Sequence, residues 1–194
     1  MNWQTIFNPF STFSEKQLLV SGLLISVAGT LIGYACNSSY NGTLDMHLID
    51  DSKLLTVTLE NLIDISVVTA LLFALGKYLN TKTRFVDILN TAFWYRLPIY
   101  IVALLSYIIL PSDFNDRVKK NINTPEKIFS NPIEIITSAL LGVVILLCLA
   151  YAIVLLVNGF KTATNTKKWQ HWAAFGFALL VSEGITQFLI KYCI

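Results

Sequence analysis

The chain has 194 residues, of which 55% are apolar and only 13% are charged, about half the charged share of an average soluble domain. This composition excludes an ordinary soluble domain, and the length leaves no room for a soluble enzyme module beside a membrane part. The net charge of +2, from 14 basic and 12 acidic residues, also argues against nucleic-acid binding, which needs a concentrated basic face.

Five stretches are long and apolar enough to cross the hydrocarbon of a bilayer as helices, which takes about 20 residues each. They cover residues 18–36, 59–76, 92–110, 133–157 and 172–190. The alternating pattern of a membrane β-barrel is absent, so we predict an all-α fold. The whole chain, residues 1–194, is expected to form a single membrane domain of five transmembrane helices in one bundle.

The residues before the first span predict a short interfacial segment. Trp3, Phe7, Phe10 and Phe13 follow helical spacing with an interruption at Pro9, and aromatic side chains of this kind settle at the headgroup level of a bilayer. Two interpretations are open. The segment either anchors the first span, or it senses membrane curvature or binds a partner.

The first predicted span contains a small-residue motif, with glycine at positions 29 and 33. Small residues allow two helix backbones to approach closely in lipid. Gly29 and Gly33 are therefore candidates for helix packing. The motif either packs against another span of the same chain or forms the face of a homodimer.

The second predicted span opens with two acidic residues, Glu60 and Asp64, which share one face of a helix near its outer end. Acidic side chains are favoured at a helix N-terminus. We therefore interpret both as the solvated start of the helix, and an intramembrane site is the alternative.

The third and fifth predicted spans each contain an ionisable residue, and such residues are functional candidates because their burial in lipid is costly. Arg96 lies a turn inside the third span, beside Pro98, which predicts a kink. Glu183 lies near the middle of the fifth span, and Thr186 and Gln187 follow on the same face. We predict an intramembrane polar site of Glu183, Gln187 and Arg96, which is either a structural contact or a proton, ion or substrate site.

The charged residues of the connections predict the orientation, because Lys and Arg are retained preferentially on the cytoplasmic side. One side has seven basic residues, mostly in two short connections: Lys16, Lys77, Lys82, Arg84, Lys161, Lys167 and Lys168. The other side has six, diluted by acidic residues. We predict a multi-pass protein of the cytoplasmic (inner) membrane, with its N-terminus in the cytoplasm and its C-terminus outside.

The sequence contains no recognisable catalytic, metal-binding or cofactor-binding motif. His47 and His171 have no metal-ligand spacing, and no phosphate loop, dinucleotide fingerprint or nucleophile elbow occurs. Cys36 and Cys193 both fall at outer helix ends and could pair, but three cysteines in unrelated contexts do not predict a disulfide framework. We expect no enzyme activity, no catalytic residues, no metal and no cofactor.

Four further segments stand out beside the five spans: Asn-Pro-Phe at residues 8–10, the connection at 76–90, Arg-Leu-Pro at 96–98, and the segment 158–165 between the last two spans. Together with the spans, these motifs resemble the Yip-one domain family of Ypt/Rab-interacting proteins. The resemblance covers nearly the whole chain.

The resemblance implies a five-helix integral membrane bundle with a cytosolic N-terminus and no catalytic residues. Eukaryotic members have a long cytosolic tail, which accompanies GTPase binding and vesicle traffic at the endoplasmic reticulum and Golgi. This chain has only about 17 residues before the first span. It resembles the compact bacterial type, to which the Rab-related role is not carried over.

The leading functional hypothesis is a non-enzymatic, Yip-like inner-membrane protein that acts as a scaffold or membrane-organising factor. The alternative is a small permease or channel that uses a buried Glu/Arg polar pathway. The expected partners are the lipid bilayer and either a second copy of the chain or other membrane proteins. Nucleic acid is not expected as a partner.

Overall fold

The computed structural model describes residues 3–124, 127–129 and 131–194. In this part of the chain, five helices are long and apolar enough to cross a membrane, which confirms the predicted all-α fold. They cover Glu15–Ala35, Leu54–Leu79, Phe85–Ile109, Pro132–Thr164 and Trp169–Cys193. Each helix is longer than the apolar stretch that predicted it, because its hydrogen bonds continue into the polar residues at its ends.

Two short elements precede the first spanning helix. α1 covers Trp3–Phe7, a 3-10 turn covers Pro9–Ser11, and α2 covers Glu15–Ala35. A capping box starts α2, in which the Ser14 hydroxyl accepts the Gln17 N–H and the Gln17 side chain accepts the Ser14 N–H at 3.0 Å. This cap satisfies backbone donors at the start of the first membrane-length helix.

The connection between α2 and the next helix, α3 at Leu54–Leu79, forms a small antiparallel ribbon. β1 covers Ser38–Ser39 and β2 covers His47–Leu48. Asn37 has a φ of 48°, a left-handed conformation that this short polar residue tolerates, and it turns the chain back toward the bundle. The connection then enters the bundle, where Tyr40 is completely buried.

The third spanning segment consists of two helices, α4 at Phe85–Trp94 and α5 at Leu97–Ile109. The helix breaks at Tyr95 and Arg96 because Pro98 lacks an N–H for the carbonyl one turn earlier. The sequence predicted a kink at this proline. The structure confirms the distortion and places Arg96 at the break itself.

The remaining helices are α3, α6, α7 and α8, which cover Leu54–Leu79, Phe114–Lys120, Pro132–Thr164 and Trp169–Cys193. α7 has 33 residues and is longer than a bilayer core requires. It ends at Asn165, whose left-handed conformation, with a φ of 53°, closes the helix.

α3 occupies the centre of the bundle, where it packs against α2, α4, α7 and α8, and α7 also packs along α4 and α5. The interior face of α3 is buried at Val57, Val68 and Leu72. The outer surface is apolar as well, with exposed side chains such as Leu147 and Leu180 on α7 and α8. A surface of this kind favours contact with lipid tails over contact with water.

Candidate functional site

The centre of the bundle contains a buried ion pair between α3 and the break in the third spanning segment. Arg96 Nη1 donates to Asp64 Oδ2 at 2.6 Å, and both side chains are 0% exposed. Removing either charge from water without the other would cost several kcal/mol. The pair therefore gives each buried group a partner of opposite charge inside an apolar bundle.

Two tyrosine rings enclose the Arg96 guanidinium. Its central carbon lies 5.1 Å from the ring centroid of Tyr40 and 5.5 Å from that of Tyr100, within the range of cation–π attraction. Arg96 Nε also donates to the Tyr100 hydroxyl at 3.3 Å. Burial raises the pKa of the Tyr40 phenol above its ordinary value, although the Arg96 charge opposes this effect, so Tyr40 remains a neutral ring.

Hydrogen bonds connect this pair to α2. The Tyr100 hydroxyl donates to Asn61 Oδ1 at 2.7 Å, and Asn61 Nδ2 donates to Thr30 Oγ1 at 2.9 Å. The Tyr40 hydroxyl donates to the Gly29 carbonyl at 3.0 Å. We call Asp64, Arg96, Tyr40, Tyr100 and Asn61 the polar core. It joins α2, α3, α5 and the α2–α3 connection across the middle of the bundle.

Glu60 fastens the α2–α3 connection to α3. Its carboxylate accepts the Ser39 hydroxyl at 2.8 Å and the Tyr40 N–H at 2.9 Å, and the side chain is 4% exposed. The interpretation of Glu60 and Asp64 as a solvated helix start is therefore wrong. α3 begins at Leu54, so both acids lie well inside the helix.

Glu183 fastens the same connection to α8. Its Oε2 accepts the Leu44 N–H at 3.1 Å, and its Oε1 accepts from Gln187 Nε2 at 2.8 Å. A hydrogen bond of 3.0 Å between the Thr43 and Ser182 hydroxyls adds to this contact. The connection is therefore held between α3 and α8 by one carboxylate from each helix.

The three residues of the sequence-predicted polar site do not all bond to one another. Arg96 neither snorkels outward nor bonds to Glu183, because its ion-pair partner is Asp64. Glu183 bonds to Gln187 and to the α2–α3 connection. Thr186, three residues after Glu183 on α8, lies beside the Asp64 carboxylate and is completely buried, but its hydroxyl forms no hydrogen bond. A functional site shared by Glu183, Gln187 and Arg96 stays a prediction.

Sequence reasoning missed Asn61, Tyr40 and Tyr100 as members of the polar core. Asn61 did carry a signal, because it lies between Glu60 and Asp64 in an otherwise apolar helix. Tyr40 carried none, since a tyrosine in a polar connection is expected at the surface. Its burial follows from the way the connection folds, which hydropathy does not record.

Gly29 and Gly33 face the interior of the bundle. A side chain at position 29 would collide with the ring of Tyr100, and one at position 33 would collide with Tyr40 and Val57. The two glycines thus allow polar-core rings to pack directly on the α2 backbone. Because both are buried in this chain, they are not available as a homodimer face.

The aromatic segment at the N-terminus lies against the end of α7. The Tyr151 hydroxyl donates to the Ile6 carbonyl at 2.9 Å, and Asn158 Nδ2 donates to the Phe7 carbonyl at 2.8 Å. Phe13 stacks on Trp94 at 6.3 Å, and Phe10 packs against the core. Trp3 is 69% exposed. The segment is anchored to the bundle and presents an aromatic edge outside it.

No group of three His, Cys, Asp or Glu side chains that could hold a metal occurs among residues 3–124, 127–129 and 131–194. Within the same residues the three cysteines are free, with Cys36 buried and Cys193 exposed. Cys36 and Cys193, whose pairing the sequence left open, thus form no disulfide.

Comparison with known proteins gives one finding. The family model of the Yip1 domain matches residues 3–190, nearly the whole chain. No curated protein and no solved structure matches significantly.

Proposed function

Since this chain belongs to the Yip1 domain family of membrane proteins, we propose that it is a non-enzymatic scaffold or membrane-organising factor. In this role the bundle is a rigid frame, and the segments at the membrane surface are the parts that act on lipid or on neighbouring membrane proteins. We place it in the bacterial inner membrane with its N-terminus in the cytoplasm, in line with the charge distribution of its connections.

The observation that carries this proposal is the complete burial of the polar core. Arg96 is engaged by Asp64 on one side and by the rings of Tyr40 and Tyr100 on others, and all four side chains are at most 2% exposed. A buried polar network whose members bond to one another fixes the relative positions of the helices. Such a core favours a frame over a solute pathway.

The exposed aromatic residues of the N-terminal segment supply the surface for this role. Trp3 and Phe7 stack at 6.0 Å and are 69% and 42% exposed. Because the segment is hydrogen-bonded to α7, force applied to these rings by the membrane surface is passed to the bundle. Aromatic rings at this level insert among lipid headgroups.

The proposal is tested by reconstitution into liposomes, with vesicle diameter measured by electron cryomicroscopy. The wild-type protein is expected to shift the diameter distribution relative to protein-free liposomes. A Trp3→Ser, Phe7→Ser double variant should lose the shift. The matched control is Tyr78→Ser, which removes an 86% exposed aromatic ring near the same end of the bundle. Identical diameters with and without wild-type protein would contradict the proposal.

A small permease is the second candidate, and the position of Glu183 favours it. Glu183 is half-buried beside exposed Gln187, whereas Thr186 on the same helix reaches the buried Asp64. Polar groups thus extend from the edge of the bundle to the polar core. Solute flux into proteoliposomes that is abolished by Glu183→Gln, and retained by the exposed-acid control Asp51→Asn, would replace the scaffold proposal with a permease.

A further inference from the structure

A polar cleft opens on the side of the bundle where α2 and α4 begin, away from the polar core. Its volume is about 260 Å³. The N-terminal segment, the first turns of α2 and α4, and the end of α7 form its walls, which include Phe10, Phe13, Glu15, Arg84, Asp87 and Asn90.

The charges of this cleft sum to one negative unit. Arg84 forms ion pairs with Glu15 and with Asp87, each at 2.7 Å. The two carboxylates outnumber the single guanidinium, and their side chains remain 45% and 30% exposed. Both can therefore accept hydrogen bonds from a further donor, and the excess charge favours a cation.

Asn90 contributes a side-chain amide oxygen that accepts no hydrogen bond. Its side chain is 1% exposed, lines the cleft, and has an amide oxygen that forms no hydrogen bond. A buried carbonyl oxygen in this state is unfavourable until an N–H or O–H reaches it. Together with the carboxylates of Glu15 and Asp87, it gives the lining of the cleft three acceptors, two of them charged. A primary ammonium, which has three N–H donors and one positive charge, matches this set.

An apolar groove adjoins the cleft. Its volume is about 510 Å³, and it follows α2 along Val20, Ser21 and Leu24 to Trp94. Phe13 lines both the groove and the cleft, so the two spaces are neighbours at this residue. Lys16 lies on the groove wall and supplies a positive charge outside the net-negative cleft. The order ammonium site, cation and apolar groove matches the headgroup, phosphate and acyl chain of an aminophospholipid.

We propose that the cleft and the groove together bind one aminophospholipid of the phosphatidylethanolamine type. Its ammonium lies between Glu15, Asp87 and Asn90, its phosphate approaches Lys16, and an acyl chain follows α2. Phosphatidylcholine fits poorly because its quaternary nitrogen has no N–H. Phosphatidylglycerol fits poorly because it brings no cation to a negative cleft. This site stands independently of the scaffold role proposed above.

The test is native mass spectrometry of the full chain after equilibration with equimolar phosphatidylethanolamine, phosphatidylcholine and phosphatidylglycerol. Wild-type protein should retain phosphatidylethanolamine in preference to the other two. Asn90→Leu should weaken this retention about tenfold, since it removes a hydrogen bond to a charged group. The matched control is Asn41→Leu, which changes another asparagine whose amide oxygen lacks a partner, in the α2–α3 connection.

A second pair of variants tests the groove along α2. Ser21→Trp should fill the groove and reduce retention, and Val27→Trp, a 58% exposed position farther along α2, should not. Equal retention of the three lipids by wild type, or unaltered retention in both Asn90→Leu and Ser21→Trp, would overturn the proposal. Glycerophosphoethanolamine is water-soluble and has the same headgroup but no acyl chain. If it displaces the lipid at equal concentration, the proposed binding of an acyl chain in the groove is overturned.

Discussion

At the scale of single residues, Asp64 and Arg96 are tolerated inside the bundle only because each neutralises the other. The Arg96 side chain also contacts the rings of Tyr40 and Tyr100, whereas Asp64 has Arg96 as its charged partner. Loss of Asp64 therefore leaves a guanidinium that cannot deprotonate and cannot reach water. A substitution of Asp64 is therefore expected to destabilise the protein more than a substitution of Arg96.

Asp64→Asn keeps the volume of the side chain and removes its charge. We expect it to lower the free energy of unfolding by about 3 to 5 kcal/mol, because it leaves an uncompensated charge in the interior. The measurement is the midpoint of reversible unfolding in mixed micelles of increasing SDS content.

The matched control for this change is a double variant, Asp64→Leu with Arg96→Met. It replaces the pair with apolar side chains of similar size and should recover most of the lost stability. If the double variant is less stable than Asp64→Asn, the ion pair contributes more than the mutual neutralisation of two buried charges.

Gly29 gives a second prediction at this scale. A methyl group at this position collides with the Tyr100 ring, whereas one at Gly142 meets no atom within 4 Å. Gly29→Ala should therefore destabilise the protein by about 1 to 3 kcal/mol through overpacking. Gly142→Ala should be neutral or slightly stabilising, since alanine favours the helix. Equal thermal transitions for the two variants would show that the polar core repacks freely around α2.

Single residues also show where the sequence was informative. Arg96 and Glu183 were identified as unusual because a charge in an apolar run is conspicuous. Their partners could not be predicted, because pairing depends on which helices are neighbours and on the depth at which each helix starts. Asp64 was placed at the wrong depth for this reason, since the apolar stretch begins later than α3 does.

At the scale of elements, the α2–α3 connection is the feature that hydropathy did not describe. It is polar in sequence, and yet it enters the bundle and bonds to α3 and α8. The five helices themselves were predicted, because a run of about 20 apolar residues has few other stable structures in a bilayer. The folding of a polar connection leaves no comparable period in the sequence.

Glu60→Ala should release this connection. The variant removes the acceptor of the Tyr40 N–H and of the Ser39 hydroxyl. Hydrogen exchange at the Tyr40 amide should then accelerate about ten- to a hundredfold, as expected for the loss of bonds to a charged acceptor. Amide exchange read by mass spectrometry on peptides from residues 38–48 measures this effect.

The control for this experiment is Asp51→Ala, which removes an exposed acid from the same connection. It should leave the exchange of these peptides unchanged. Slow exchange of the Tyr40 amide in Glu60→Ala would mean that Glu183 alone holds the connection in place.

At the scale of the whole molecule, the five membrane-length helices in the described part of the chain predict that its two ends lie on opposite sides of the membrane. Cys193 is exposed near the C-terminus, whereas Cys36 is buried. A membrane-impermeant thiol reagent should therefore label Cys193 in intact cells if the C-terminus is outside. Lys82→Cys, in the exposed connection between α3 and α4, should be labelled only after the membrane is opened.

Cys193→Ser provides the background for this measurement, because it removes the exposed native thiol. Labelling of Lys82→Cys in intact cells, together with protection of Cys193, would reverse the orientation that the basic residues predict. Labelling of both from the same side would contradict five crossings.

The docking of the α2–α3 connection also has a consequence for biosynthesis. Thr43 and Leu44 are made early, but the groups that hold them on α8, Ser182 and Glu183, lie 139 residues later in the chain. While the ribosome is still adding the intervening helices, the connection can bond to α3 but not to α8. The connection is therefore fully hydrogen-bonded only after α8 has packed against it. A chain truncated before α8 would present an incompletely covered polar loop to the membrane-insertion and quality-control machinery.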